Sequence, residues 1–208
     1  MDRFWGRAAV MVAMGAAAAG CGAARGGGGD VPGPEDGTLV FRYAIELEDR
    51  GELRRVTEDF PFRSGDRFRF VMESGFPAHL YLFNRGAGDR TYTRLFPRDA
   101  ADDRRALPRG REMRAPPGDG WYRMDTRTGI ENLVLVVATA PLGELGMDPG
   151  AGRDANAFEQ RLGELERAYR PLRSGRERAG DDVELVADRG VGETALVVRI
   201  PLRHEEGP

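Results

Sequence analysis

From Thr38 onward, apolar and polar positions alternate over several short stretches. A period of two is the mark of strands buried on one face. In Thr38–Glu48, Phe41, Tyr43, Ile45 and Leu47 fall on one side, and Arg42 and Glu46 on the other. In Asp66–Met72, Phe68, Phe70 and Met72 alternate with Arg67, Arg69 and Val71. Pro77–Phe83 and Arg90–Phe96 read as two further strands, and the turn-rich Gly86–Asp89 between them predicts a hairpin. Glu131–Thr139 is a continuous apolar run, as expected of a central strand covered on both faces. Val183–Ala187 and Thr194–Leu202 supply two closing strands.

One segment has the other period. Phe158, Leu162, Leu165 and Tyr169 recur at i, i+4, i+7 and i+11, which predicts an amphipathic helix near 155–170 packed on the protein's own sheet. Asn156 followed by Glu159 resembles a capping box, and Pro171 ends the pattern. The elements predict one mainly β domain over 38–208, an antiparallel β-sandwich or open barrel with one inserted α-helix. Two long loops, Pro97–Gly110 and Ala140–Arg153, interrupt it.

The chain before Thr38 cannot join that core. Arg3 and Arg7 precede the apolar Ala8–Ala19, about the length of a signal h-region and short of the roughly 20 residues that span a bilayer. Ala18-Ala19-Gly20-Cys21 follows and resembles a lipobox, with Ala18 where leucine is usual. The expectation is a lipoprotein signal peptide over 1–20, with Cys21, the chain's one cysteine, as the lipidated residue. Residues 21–37 are rich in Gly and Pro and read as a flexible tether, spanning roughly 20–24 Å as a coil. The expected location is extracytoplasmic, anchored through Cys21 to a bacterial membrane.

Composition narrows the chemistry. All 31 basic residues are Arg, against 34 acids, and they are spread along the chain, which speaks against nucleic acid as a partner. Without Lys there is no P-loop and no Schiff base. One Cys excludes an internal disulfide and a Cys-based zinc site. The two histidines offer little to a metal centre or a catalytic triad: His79 lies mid-strand on the face of Tyr81 and Phe83, and His204 falls in the terminal Arg203–Pro208, read as mobile. Serines 64, 74 and 174 lack a nucleophile elbow. Asp99, Asp102 and Asp103 could chelate calcium but are flanked by Arg98, Arg104 and Arg105, which favours a solvated loop. Glu46 and Glu48 share a strand face, a spacing that carries little weight as a glycosidase pair. Trp121 and Tyr122 beside Pro116–Gly120 could form an aromatic sugar- or peptide-binding patch, but local core or turn packing outweighs that reading.

The segment from Gly65 to Leu142 carries an ordered set of short pieces: Gly65-Asp66 before a strand, Tyr81 central to the next, Leu95-Phe96-Pro97, Pro116, Gly129-Ile130-Glu131 opening a hydrophobic strand, then Ala138 and Pro141-Leu142. The set resembles the bacterial family known as domain of unknown function 4384. The resemblance implies an extracytoplasmic β-rich module with an accessory or binding role and no established activity. The expectation from sequence is therefore a non-catalytic binding or scaffolding module for a protein or peptide, without cofactor or metal. A small-ligand or glycan binder is the alternative, and a hydrolase ranks last.

Overall fold

A computed structural model describes residues 37–99, 106–143, 152–171, 173–189 and 192–206. The signal segment, Cys21 and the acidic pair Asp102 and Asp103 lie outside these residues. In chain order the elements are β1 (Thr38–Asp49), β2 (Glu52–Val56), β3 (Phe62–Arg63), β4 (Arg67–Ser74), β5 (His79–Arg85), β6 (Thr91–Phe96), β7 (Met113–Ala115), β8 (Tyr122–Arg123), β9 (Gly129–Ala138), β10 (Gly152–Asp154), α1 (Ala155–Ala168), β11 (Ser174–Ala179), β12 (Asp182–Asp188) and β13 (Ala195–Glu205).

They form two sheets face to face. The first runs β11-β12-β1-β4-β7, with β2 also on β1 and β8 also on β4; the second runs β10-β6-β5-β9-β13-β3. Pairing is antiparallel throughout except for β13 with β3. The sheets do not close on each other, so this is a β-sandwich with one helix.

Strand alternation builds the core directly. Leu39, Phe41, Tyr43, Ile45 and Leu47 of β1 and Phe68, Phe70 and Met72 of β4 face Leu80 and Leu82 of β5, Leu133, Leu135 and Val137 of β9, and Val198, Ile200 and Leu202 of β13. The opposite parity of β5 and β9 presents Tyr81, Phe83, Val134, Val136 and Ala138 to the other side, where α1 covers them with Phe158, Leu162 and Leu165. The unbroken apolar run of β9 is explained by this sandwiching: it pairs with β5 and β13 at its edges and is buried on both faces. The Tyr81 hydroxyl accepts the Leu142 N–H at 2.9 Å and ties the chain leaving β9 to the sheet.

The hairpin at Gly86–Asp89 is present, closed by Asp89 N–H donating to the Gly86 carbonyl at 3.0 Å. The helix begins two residues before the Asn156 cap expected from the sequence. Asp154 is the N-cap, its Oδ1 accepting the N–H groups of Asn156 and Ala157. The chain also carries strands that lack an apolar alternation. β2 returns from β1 through Arg50 and Gly51, both at positive φ (54° and 90°), the conformation of a tight two-residue hairpin. β11 is exposed along its whole length and pairs with β12 alone among the described residues.

β13 runs through Pro201 and extends past Leu202, the expected end of the strand, to Glu205. Pro201 sits opposite Asn132 on the β9 side. β3 joins the other edge only at His204 and Glu205, so the proline meets no ladder there.

Candidate functional site

The extension of β13 matters because it carries His204 into the sandwich. His204 shares the inward parity of Val198, Ile200 and Leu202, and is 2% exposed rather than part of a mobile tail. Glu131 shares the inward parity of Leu133 and Leu135, and Asn84 that of Leu80 and Leu82; they are 4% and 7% exposed. Asn84, Glu131 and His204 thus stand on the adjacent strands β5, β9 and β13, just beyond the apolar rows. The inner face of the second sheet turns from hydrocarbon to polar at this one end.

Three loops close over that end. Gly65 N–H donates to the Met124 carbonyl (3.0 Å) and Met124 N–H to the Asp66 carbonyl (2.9 Å), which clamps the segment bearing Asp125 against the β3–β4 turn. Asp66 accepts the Arg63 N–H at 2.8 Å within that turn. Gly129, at φ 137°, lies so close to the β5–β6 turn that a Cβ would stand 2.9 Å from the Ala87 Cβ. Only glycine fits there.

The polar contacts are specific. Glu131 accepts Asn84 Nδ2–H through Oε2 at 3.0 Å and the Ala87 N–H through Oε1 at 3.1 Å. His204 Nε2 and the Ser64 hydroxyl share a hydrogen bond of 3.0 Å. Asp125 Oδ1 accepts the Arg127 N–H at 2.7 Å. The Arg127 guanidinium turns to Asp89 at 2.8 Å and stays 3.9 Å from Asp125 Oδ2. One carboxylate oxygen each from Asp125 and Glu131 and one ring nitrogen of His204 lie within 4.8 Å of one another. The buried Asn84 Oδ1 and His204 Nδ1 have no partner. Alternation could have revealed Glu131 and Asn84, both on inward positions of recognised strands. His204 was lost with the last turn of β13.

Trp121 and Tyr122 do not form an open patch. Tyr122 is fully buried in the inter-sheet core against Phe68 (5.6 Å), and burial pushes its phenol well above the ordinary range. Trp121 points to the other face and is 7% exposed, roofed by the guanidinium groups of Arg69 at 4.3 Å and Arg67 at 5.4 Å. Those arginines hold the two strand glutamates: Arg69 pairs with Glu46 at 2.7 Å and Arg67 with Glu48 at 2.7 Å. Each glutamate is spent in a cross-strand ion pair, a poor start for acid–base work. His79 is buried beside the helix-covered face.

A third feature is the open flank of the sandwich. β11 borders a groove of about 590 Å³ whose lining includes Leu185, Leu196 and Val198, with Arg170, Arg176 and Arg199 at its sides. Arg176 contacts the Tyr43 hydroxyl and pairs with Glu58 at 2.6 Å; Arg178 pairs with Asp59 at 3.1 Å. Burial raises the Tyr43 phenol to about 12, the Glu58 charge adding to the rise and Arg176 opposing it.

Comparison of the chain with family models, curated proteins and solved structures finds no match.

Proposed function

We propose that the protein is a non-catalytic binding or scaffolding module, lipid-anchored through Cys21 to a bacterial membrane and held off it by the 21–37 tether. It recruits an extended peptide or a strand of a partner protein along β11. The observation that carries this reading is the six-residue edge strand, exposed throughout and lying beside an apolar-floored groove. The Asp188 N–H donates to the Arg173 carbonyl at 2.9 Å, so Arg173 faces β12. By ladder alternation the backbone groups of Ser174, Arg176 and Arg178 then face outward. Added strands bind through such groups, and side-chain pockets confer selectivity. The arginines on β11 discourage pairing with a second copy of the same strand. Although Arg176 and Arg178 already pair with Glu58 and Asp59, both stay partly exposed and favour a partner bearing acidic and apolar residues in alternation. The accessory role implied by the family resemblance points the same way.

The test is selection from a displayed library of extended peptides against the full chain, followed by Ser174→Pro. Proline there removes one outward donor and leaves the β11–β12 ladder intact. The expected result is enrichment of alternating acidic and apolar peptides, with affinity falling at least tenfold in Ser174→Pro at an unchanged melting temperature. Peptides that bind the proline variant equally well, or no enrichment at all, would refute strand addition.

A further inference from the structure

We propose that Asp125, Glu131 and His204 bind one divalent transition-metal ion, with Zn²⁺ the best fit, at the polar end of the sandwich. The geometry begins with the donor set. One imidazole nitrogen and two carboxylate oxygens from separate parts of the chain converge within 4.8 Å. On a zinc ion with bonds of 2.0–2.2 Å, donors sit roughly 3.3 Å apart, so the cluster needs a modest contraction to coordinate. Imidazole suits zinc and its neighbours in the first transition row, whereas calcium and magnesium favour all-oxygen shells.

Charge argues in the same direction. A buried carboxylate is costly unless a cation or several donors meet it. Glu131 is 4% exposed and receives two neutral hydrogen bonds, and among the described residues no arginine pairs with it. Arg127, close to Asp125, is engaged by Asp89 at 2.8 Å and stands 3.9 Å from Asp125. The two carboxylates of the donor set supply charge that a divalent ion would balance.

The independent observation is the histidine. Its ring is almost wholly buried, Nε2 is hydrogen-bonded to Ser64, and Nδ1 has no partner. If Nε2–H donates to the Ser64 hydroxyl, the tautomer places the free lone pair on Nδ1, the arrangement in which an outer hydrogen bond orients a metal-bound histidine. Asn84 plays the matching part for Glu131, steadying Oε2 with its N–H. Its own Oδ1 is buried and unpartnered, a polar atom left beside the site without a hydrogen bond. Three protein ligands and one open position make a site that binds the ion and staples the loops bearing Ser64, Asp125 and Ala87 to the end of the sheet.

The experiment uses the full chain, stripped with chelator, then reloaded with Zn²⁺ and dialysed. One zinc per chain is expected, in wild type and in Cys21→Ser alike. With Zn²⁺ at a hundredfold excess over Kd, the melting temperature should rise by roughly 5–10 °C, with no comparable rise in Ca²⁺ or Mg²⁺. Co²⁺ should give visible d–d absorption without a thiolate band. Asp125→Asn is the decisive variant because its side chain is partly exposed and its loss spares the core. It should keep the metal-free melt and weaken Zn²⁺ binding by about tenfold or more. Glu131→Gln and His204→Gln should abolish stoichiometric binding. No stoichiometric zinc, or zinc held equally well by Asp125→Asn and Glu131→Gln, would overturn the site.

Discussion

Whether α1 is part of the domain or a face held ready for a partner can be decided at Phe158. Its ring is 1% exposed, stacks on Tyr92 with centroids 4.3 Å apart and planes at 27°, and meets Phe83 at 4.9 Å. Phe158→Ala removes a ring from a site walled on one side by β5 and β6 and on the other by the helix backbone, which limits collapse. Truncations of this kind cost about 3–5 kcal/mol, and two favourable ring pairings place this one at the upper end. A domain of this size loses about 2–4 °C in melting temperature per kcal/mol, so the melt should fall by roughly 8–20 °C. Urea unfolding followed by circular dichroism gives the free energy directly, with an unchanged slope if the native state keeps its extent. Gln160→Ala, on the exposed side of the same helix, is the control and should stay within about 0.5 kcal/mol. A Phe158→Ala cost below about 1 kcal/mol, too small for any buried aromatic, would mean the helix is not seated on the sheet. The apolar stripe would then be free for a partner.

Val136 is fully buried at the centre of β9, opposite Tyr81 and Val197, so Val136→Asp should abolish cooperative melting; an unchanged melt would undo the central-strand assignment. Tyr43, with its phenol raised to about 12 mainly by burial, binds its proton more tightly folded than unfolded. The stability it contributes is complete below pH 10 and is lost as pH rises from 10 through 12, up to about 2–3 kcal/mol. Tyr43→Phe should flatten that alkaline loss in a urea titration, and an equal loss in the variant would clear Tyr43 of the effect. Cys21→Ala should move the protein from the membrane to the soluble fraction on cell fractionation, because stable anchoring rests on the multi-chain lipid; retention equal to wild type would count against the lipid anchor.

Most of the sandwich was legible because burial of one face imposes a period of two, and burial of both imposes an unbroken apolar run. β1, β4, β5, β9, β12 and β13 all announce themselves in this way, and α1 by the change to a period near 3.6. β2 and β11 did not, for the same reason in reverse. Their residues are exposed, so their place in the sheet comes from backbone pairing with a neighbour and leaves no trace in side-chain hydropathy. The two-residue turn at Arg50-Gly51 was hidden because arginine is an unusual occupant of positive φ.

The polar end of the core was half legible. Glu131 and Asn84 stood on inward positions of strands that were recognised, but an inward polar residue means little until its neighbours are known. His204 comes from the far end of the chain, 73 residues beyond Glu131, and Asp125 from a loop with no periodicity at all. Likewise local packing was the favoured reading of Trp121 and Tyr122, but only the sheet showed which ring turns inward and that Arg67 and Arg69 lie over the other. By itself the sequence determined which residues must leave water, and hence the apolar strands, the helix and a mainly β domain, while sandwich against open barrel was settled by the two sheets. Tertiary structure decided which polar groups left water with them. Side-chain periodicity records the face a residue turns to, whereas convergence of distant groups depends on strand order and loop closure.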